Sequence, residues 1–257
     1  MTAPAADRLP TVARVSLSAP IRWLSEGLRD FAKAPVPCLT YGAAIAAISF
    51  ALSYALVSSD MAFWALTLSC GFVFLAPVLA MGLYEAGRAL EAGEKPTLAR
   101  IFFVRGALRQ DVFYLGLALL LIYLMWGRIA QLVYGLSTYR LHRTVDEFVT
   151  FALTTDEGRT MLISGTIVGG VIAFFTYCLV VVSAPMLLDR GANVFAATAT
   201  SLRAVAANFA PMLLWAVLIT ALLIAAAATW FWALVVIFPW LGLASWRAYR
   251  DLVRAGS

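Results

Sequence analysis

The sequence predicts an all-α polytopic membrane bundle of six transmembrane helices arranged as three hairpins, each preceded by an amphipathic interfacial helix. Three observations predict it. Of 257 residues, 63% are hydrophobic and 13% charged, whereas soluble domains average about 45–50% apolar and about 25% charged. Apolar runs recur at roughly the 20 residues that a ~30 Å hydrocarbon core demands of a helix. Three of these runs end alike, in a proline followed within twelve residues by acid and arginine: FLAPVLAMGLYEAGR around Pro77, VVSAPMLLDRG around Pro185 and VVIFPWLGLASWRAYRD around Pro239.

Residues 1–17 hold no apolar run of signal-peptide type and read as a flexible cytoplasmic N-terminus. The rest, 18–257, reads as one integral membrane domain. Ser18 can cap a helix with Pro20 in its first turn. Ile21, Leu24, Leu28 and Phe31 then recur on one face, with Arg22, Glu26, Arg29, Asp30 and Lys33 on the other, the pattern of a helix lying flat in the interface. Pro35 and Pro37 stop it. The expected spans are 38–57, 61–83, 111–133, 161–188, 209–228 and 230–246, the last two split within an uncharged run from Phe209 to Ser245.

Ser58, Ser59 and Asp60 turn the first hairpin. Gly42 with Ala46, and Gly165 with Gly169, have the small-xxx-small spacing that lets helix backbones approach closely. Between the second and third spans, Gly93 and Pro96 divide a basic stretch into two short amphipathic pieces. Arg128 falls near the far edge of the third span, from which it can snorkel. In the outer loop that follows, Thr144 and Glu147 form a capping box ahead of Val145, Phe148, Val149 and Ala152. The stretch 193–208 reads as another interfacial helix, with Phe195, Leu202 and Val205 set against Thr198, Thr200 and Arg203. Pro77, Pro185 and Pro239 are expected to bend their spans. The recurrence of helix, hairpin and proline, with units opening near Ser18, Thr97 and Asn193, suggests a threefold internal repeat.

With six spans, 15 of the 19 lysines and arginines fall on one side, so the positive-inside rule puts both termini in the cytoplasm. The basicity orients the chain; the cations lie between apolar runs rather than along one face, which excludes nucleic acid as a partner. Membrane lipids are the expected partners, together with another integral membrane protein or complex.

The residue inventory argues against enzymes. The single histidine, His142, stands in the outer loop, no GxSxG occurs, and Cys38, Cys70 and Cys178 sit at or inside apolar runs as small hydrophobes. His142 and Asp146 supply two metal ligands at most, short of a closed site. No catalytic, cofactor-binding or metal-binding residue is assigned, and no cofactor is expected. All six span cores lack an ionisable residue, so proton- or sodium-coupled transport is not expected. Glu85 with Arg88, and Asp189 with Arg190, are the expected contacts to a partner or a lipid headgroup.

The stretches GLYEAGRALEAGEKPTL, SAPMLLDRG with TSLRAVAANFAPMLLWA, and FPWLGLASWRAYRDL resemble the bacterial integral membrane proteins grouped as domain of unknown function 2189, over about Ile21 to Val253. The resemblance implies a multi-span membrane fold and no particular activity. That family often carries histidines where this chain has Leu243 and Arg247, so the resemblance implies no histidine-based haem or metal role here. The expected function is a non-catalytic accessory, assembly or scaffold component of a membrane complex; the alternative is an uncoupled transporter or channel for a small or lipid-like solute.

Overall fold

The computed structural model describes residues 10–253 apart from Arg143, and at positions 62, 66 and 70 the backbone alone. The chain runs through α1 (Ala19–Lys33), α2 (Pro35–Ser58), α3 (Ala62–Leu79), α4 (Met81–Glu91) and α5 (Leu98–Phe102) to a 3-10 helix, Arg105–Leu108. It continues through α6 (Gln110–Ser137), α7 (Val145–Thr154), α8 (Asp156–Val180), α9 (Ser183–Arg190), α10 (Val194–Ala207), α11 (Phe209–Ala228) and α12 (Leu234–Leu252). Among the described residues the only extended pairing is an isolated bridge between Val12 and Val253.

Among the described residues, five stretches are long and apolar enough to cross a membrane: Pro35–Ser58, Gly71–Glu91, Gln110–Ser137, Asp156–Arg190 and Phe209–Ala228. The first hairpin turns where expected, with Asp60 at φ 54°, and the chain between α11 and α12 turns through Trp230 and Phe231 at φ 52° and 67°. α12, which takes the place of the expected sixth span, is not among the five. Arg247, Arg250 and Asp251 occupy its last turns, and it is the core of the protein, with Leu243, Trp246, Tyr249 and Leu252 all buried between α1, α2 and α4.

Proline shapes this core. Its ring has no N–H to donate and crowds the carbonyl four residues back, so a helix breaks or bends there. Spans expected as continuous at 61–83 and 161–188 are each interrupted, at Ala80, three residues past Pro77, which itself lies inside α3, and at Val181–Val182, just before the first turn of α9 that holds Pro185. Every residue from Met81 to Gly87 and from Ser183 to Leu188 is buried. These segments, which begin inside the expected spans and lead to Glu85 and Asp189, pack against one another and against α12. Pro239 leaves α12 continuous. It withholds a hydrogen bond from the Val235 carbonyl, and Gly42 of α2 packs there so closely that a Cβ would stand 2.1 Å from that oxygen.

The faces of two helices differ from expectation. α1 turns Trp23, Gly27 and Asp30 inward, while Ile21 and Leu28 point out. It does not lie free in an interface: Gly27 is pressed on Ala244 of α12, where a Cβ would meet the Ala244 backbone nitrogen at 2.7 Å. Ser18 does not cap α1, since its backbone is already helical and its hydroxyl pairs with that of Ser16 at 2.9 Å. α10 buries Ala197, Thr200, Ser201, Ala204 and Val205, leaving Phe195 and Leu202 outside. Its Asn193 cap accepts the Phe195 N–H at 2.8 Å.

Local signals hold elsewhere. Thr144 Oγ1 accepts the Glu147 N–H at 3.2 Å while Glu147 Oε2 accepts the Thr144 N–H at 3.4 Å, completing the capping box of α7. Gly93, at φ 76°, ends the α4 segment, and Thr97 caps α5. Within the stretch expected as a flexible N-terminus, residues 1–9 lie outside the described ones, whereas Ala13 donates to the Leu252 carbonyl at 2.9 Å and Val15 to Asn208 Oδ1 at 2.8 Å.

Gly42→Ala forces α2 off α12, and overpacking of this kind costs about 1–3 kcal/mol. Gly135→Ala, in α6 with nothing within 4 Å of its would-be Cβ, leaves stability unchanged or raises it. Thermal unfolding of the two variants in one detergent checks the contrast.

Candidate functional site

The chemistry-bearing side chains gather at one end of the bundle, around the last two turns of α12. Successive residues of a helix point in different directions, so Trp246, Arg247, Tyr249, Arg250 and Asp251 reach different neighbours. Arg247 extends to α1, where its Nε donates to Asp30 Oδ2 at 2.6 Å. Lys33 Nζ donates to Asp30 Oδ1 at 2.8 Å, so both carboxylate oxygens are held. Asp251 turns back to the same helix, accepting the Trp23 indole N–H at 2.7 Å and pairing with Arg22.

Toward α4 and α9, Trp246 Nε1 and Arg250 Nε donate to the two oxygens of Glu91 at 3.2 and 3.0 Å. The Tyr249 hydroxyl donates to Asp189 Oδ2 at 2.6 Å, and Arg250 Nη1 reaches the same oxygen at 3.3 Å. Arg190 folds over Tyr249 and fixes the end of the helix by donating to the Val253 carbonyl at 3.1 Å.

Asp30 is 1% exposed. Burial alone would raise its carboxyl pKa, but the hydrogen bonds and charges of Arg247 and Lys33 outweigh that and hold it below the ordinary value. The guanidinium of Arg247 is raised in turn, chiefly by its bond to Asp30. A buried carboxylate is tolerable only when paired and hydrogen-bonded in this way.

The residues singled out in the sequence are placed as follows. Glu85 is buried on α4; its Oε1 accepts from Arg100 Nε at 2.6 Å, and Arg88 Nη2 stands 2.6 Å from Oε2 as an ion contact without hydrogen-bond geometry. Arg100 also pairs with Glu94. Asp189 and Arg190 belong to the α12 network just described. Glu85 and Asp189 are thus brought to one end of the molecule but held by different arginines. Gly42 and Ala46 lie on the α2 face toward α12, Gly169 lies against the Trp126 ring of α6, and Gly165 faces Val133.

His142 does not share a helical face with Asp146, because α7 begins only at Val145. Its ring stacks on Phe151 with centroids 4.4 Å apart, and its Nδ1 lies 2.8 Å from the Tyr134 hydroxyl. Cys38 and Cys178 carry free thiols; the Cys70 side chain lies outside the described ones.

Next to the charged end, a cavity of about 100 Å³ opens where α3 gives way to α4, bounded also by α8, α11 and α12. Pro77, Thr176, Tyr177, Gly242 and Ser245 line it together with Tyr84, which is 5% exposed. Thr176 and Tyr177 spend their hydroxyl protons on the Ile172 and Met212 carbonyls. The Tyr84 hydroxyl has no hydrogen-bond partner among the described residues. Ser53 and Thr67 do not reach this cavity.

Residues 65–189 match the family model described as predicted integral membrane protein (DUF2189). The match includes both Ala-Pro breaks, Glu85 and Asp189. It leaves α1, α2 and α10 to α12 outside, so the resemblance read over Ile21 to Val253 is found over that shorter stretch, and Asp30 and Arg247 are not part of it. No curated protein and no solved structure matches the chain.

Sequence reasoning missed Trp23, Asp30, Tyr249 and Asn208. Asn208 is buried, accepts from Val15 N and donates through Nδ2 to the Ala13 carbonyl at 3.0 Å, pinning the chain ahead of α1. Its only signal was an amide beside an aromatic at the head of an uncharged run.

Asp30→Ala removes one half of a buried pair and costs about 3 kcal/mol at neutral pH. Asp30→Ala with Arg247→Met costs less than the two single changes added together, since each alone strands a partner. Because the folded pKa is depressed, the contribution is complete above the ordinary value of 3.8 and fades as pH falls through the lower folded value. Unfolding midpoints followed from pH 7 to well below the ordinary value of 3.8 show this loss in the parent and not in Asp30→Ala.

Proposed function

We propose that this protein is a non-catalytic accessory, assembly or scaffold component of a membrane complex. The observation that carries the reading is the occupation of the acidic groups at the charged end: Asp30, Glu85, Glu91, Asp189 and Asp251 are all engaged by cations, indoles or a phenol of the same chain. Groups held this way brace helices and are not available as acids, bases or ligands. The open apolar faces of α2, α6, α8 and α11 supply surface for lipid and for neighbouring membrane helices. In this reading α12 completes a sixth crossing, the charged end faces the cytoplasm of a bacterial inner membrane, and Arg88 and Arg100, whose guanidinium groups remain part-exposed, meet the partner there.

A second reading is favoured by the cavity at the α3–α4 break. Its free Tyr84 hydroxyl suits a small uncharged solute, passed without coupling to an ion. The polar residues Ser53 and Thr67 lie away from it, which weakens this reading against the first.

Purification in mild detergent with mass spectrometry of bound proteins distinguishes the two. A reproducible integral-membrane partner is expected, and a lone monomer at every attempt overturns the scaffold reading. For orientation, Ser59→Cys reacts with a membrane-impermeant thiol reagent in intact cells, whereas Ser16→Cys reacts only after permeabilisation, each in a background lacking the three native cysteines.

A further inference from the structure

An open groove of about 370 Å³ runs along the first turns of α6, walled on its other sides by α3 and the 3-10 helix. Val78, Leu108, Val112, Phe113, Gly116 and Leu120 line it, and none has a polar side chain. Val112 to Leu120 spans about 12 Å along the helix axis at 1.5 Å per residue. Gly116 leaves the floor open: a Cβ there would meet only Val78 Cγ2, at 4.0 Å.

Two arginines, Arg105 and Arg109, bracket in sequence the lining residues Ala107 and Leu108. In a 3-10 helix residues i and i+3 eclipse, so Arg105 stands over Leu108, the residue at the rim. Arg105 is exposed and has no ion pair or hydrogen bond among the described residues. Arg109, next along, is also exposed; its guanidinium is seated on Gly191, donating from Nη2 to the Gly191 carbonyl at 3.0 Å, and it has no carboxylate partner among the described residues. The nearest acid in sequence, Asp111, is occupied in accepting the Val194 N–H at 2.9 Å. Phe103 and Leu108 are 81% and 88% exposed beside these cations, apolar surface that water would penalise and a bilayer interface would not.

We propose that this groove binds an anionic phospholipid, one acyl chain lying along α6 over Gly116 and the headgroup phosphate held between Arg105 and Arg109. The apolar lining suits a hydrocarbon chain. Two guanidinium groups without carboxylate partners suit a phosphate, which they can engage with paired N–H donors. A zwitterionic lipid brings its own cation to these arginines, whereas an anionic one answers their charge, as basic pockets beside membrane helices do elsewhere. The site stands apart from the α12 network and from the scaffold reading.

The full-length protein, delipidated in mild detergent, is exposed to equal phosphatidylglycerol and phosphatidylcholine, and bound lipid is counted by native mass spectrometry. Phosphatidylglycerol is retained about tenfold or more over phosphatidylcholine, a preference that falls with added salt. Arg105→Gln with Arg109→Gln abolishes the preference, and Gly116→Leu lowers retention of both lipids. Arg105→Gln alone, which removes no contact within the protein, lowers the preference and guards against a folding defect in the double variant. Equal retention of the two lipids by the parent overturns the proposal. So does a preference unchanged in the arginine variants, or displacement of the lipid by inorganic phosphate at millimolar concentration, which would mark a free-anion site. Protection of the groove by a second copy of the chain in place of lipid also overturns it.

Discussion

Arg247 and Asp30 join helices 217 residues apart in sequence. A carboxylate as buried as Asp30 is costly unless a cation and hydrogen bonds answer it, so α1 cannot leave α12 without stranding a charge. That single requirement decides where α1 lies. With α1 held on α12, Gly27 meets Ala244, Trp23 reaches Asp251 with its indole N–H, and the Trp23 ring packs edge-on against Trp215 of α11 at 5.7 Å. The end of α12 is then enclosed, and its other polar side chains find partners on α4 and α9.

The prolines make that enclosure possible. A straight helix through Pro77 or Pro185 would carry its following residues onward along the span axis. The chain is irregular at Ala80 and at Val181–Val182, and the segments that follow, α4 and α9, meet one another and α12. Gly87 lies against the Trp246 ring and Gly242 against Leu83, each with no room for a Cβ. The cavity lined by Pro77 and Gly242 sits beside one of these breaks, where the redirected backbone and the small residues leave a gap that large side chains do not fill.

The features that were legible in the sequence are the local ones. Length and apolarity placed the long helices, Ser58 to Asp60 placed a turn, and Thr144 with Glu147 placed a helix start, because each depends on groups a few residues apart. The inward face of α1 was not legible. In a soluble protein the apolar stripe Ile21, Leu24, Leu28, Phe31 would be the buried one. In a membrane protein the outside is as apolar as the inside, so hydrophobic periodicity loses its direction, and Asp30 is buried only because Arg247 comes to it from the far end of the chain. Asn208 was hidden for the same reason, its partners Ala13 and Val15 lying nearly 200 residues away. Glu85 with Arg88 and Asp189 with Arg190 were legible as charged pairs, though not as groups consumed by internal pairing.

This division of labour bears on what the molecule can do. At the charged end, burial and ion pairing fix α1, α4, α9 and α12 as one body. Away from it, α2, α6 and α11 keep most of their surface open, so lipid or a partner helix completes their packing. A ligand shifts a protein between conformations only by binding one better than the other, and here rigid and open regions meet at Ala80 and Val181–Val182. Spanning helices reach the paired core along two kinds of route, through α4 and α9, which follow α3 and α8 in the chain, and through the direct packing of α2 on α12 and of α11 on α1.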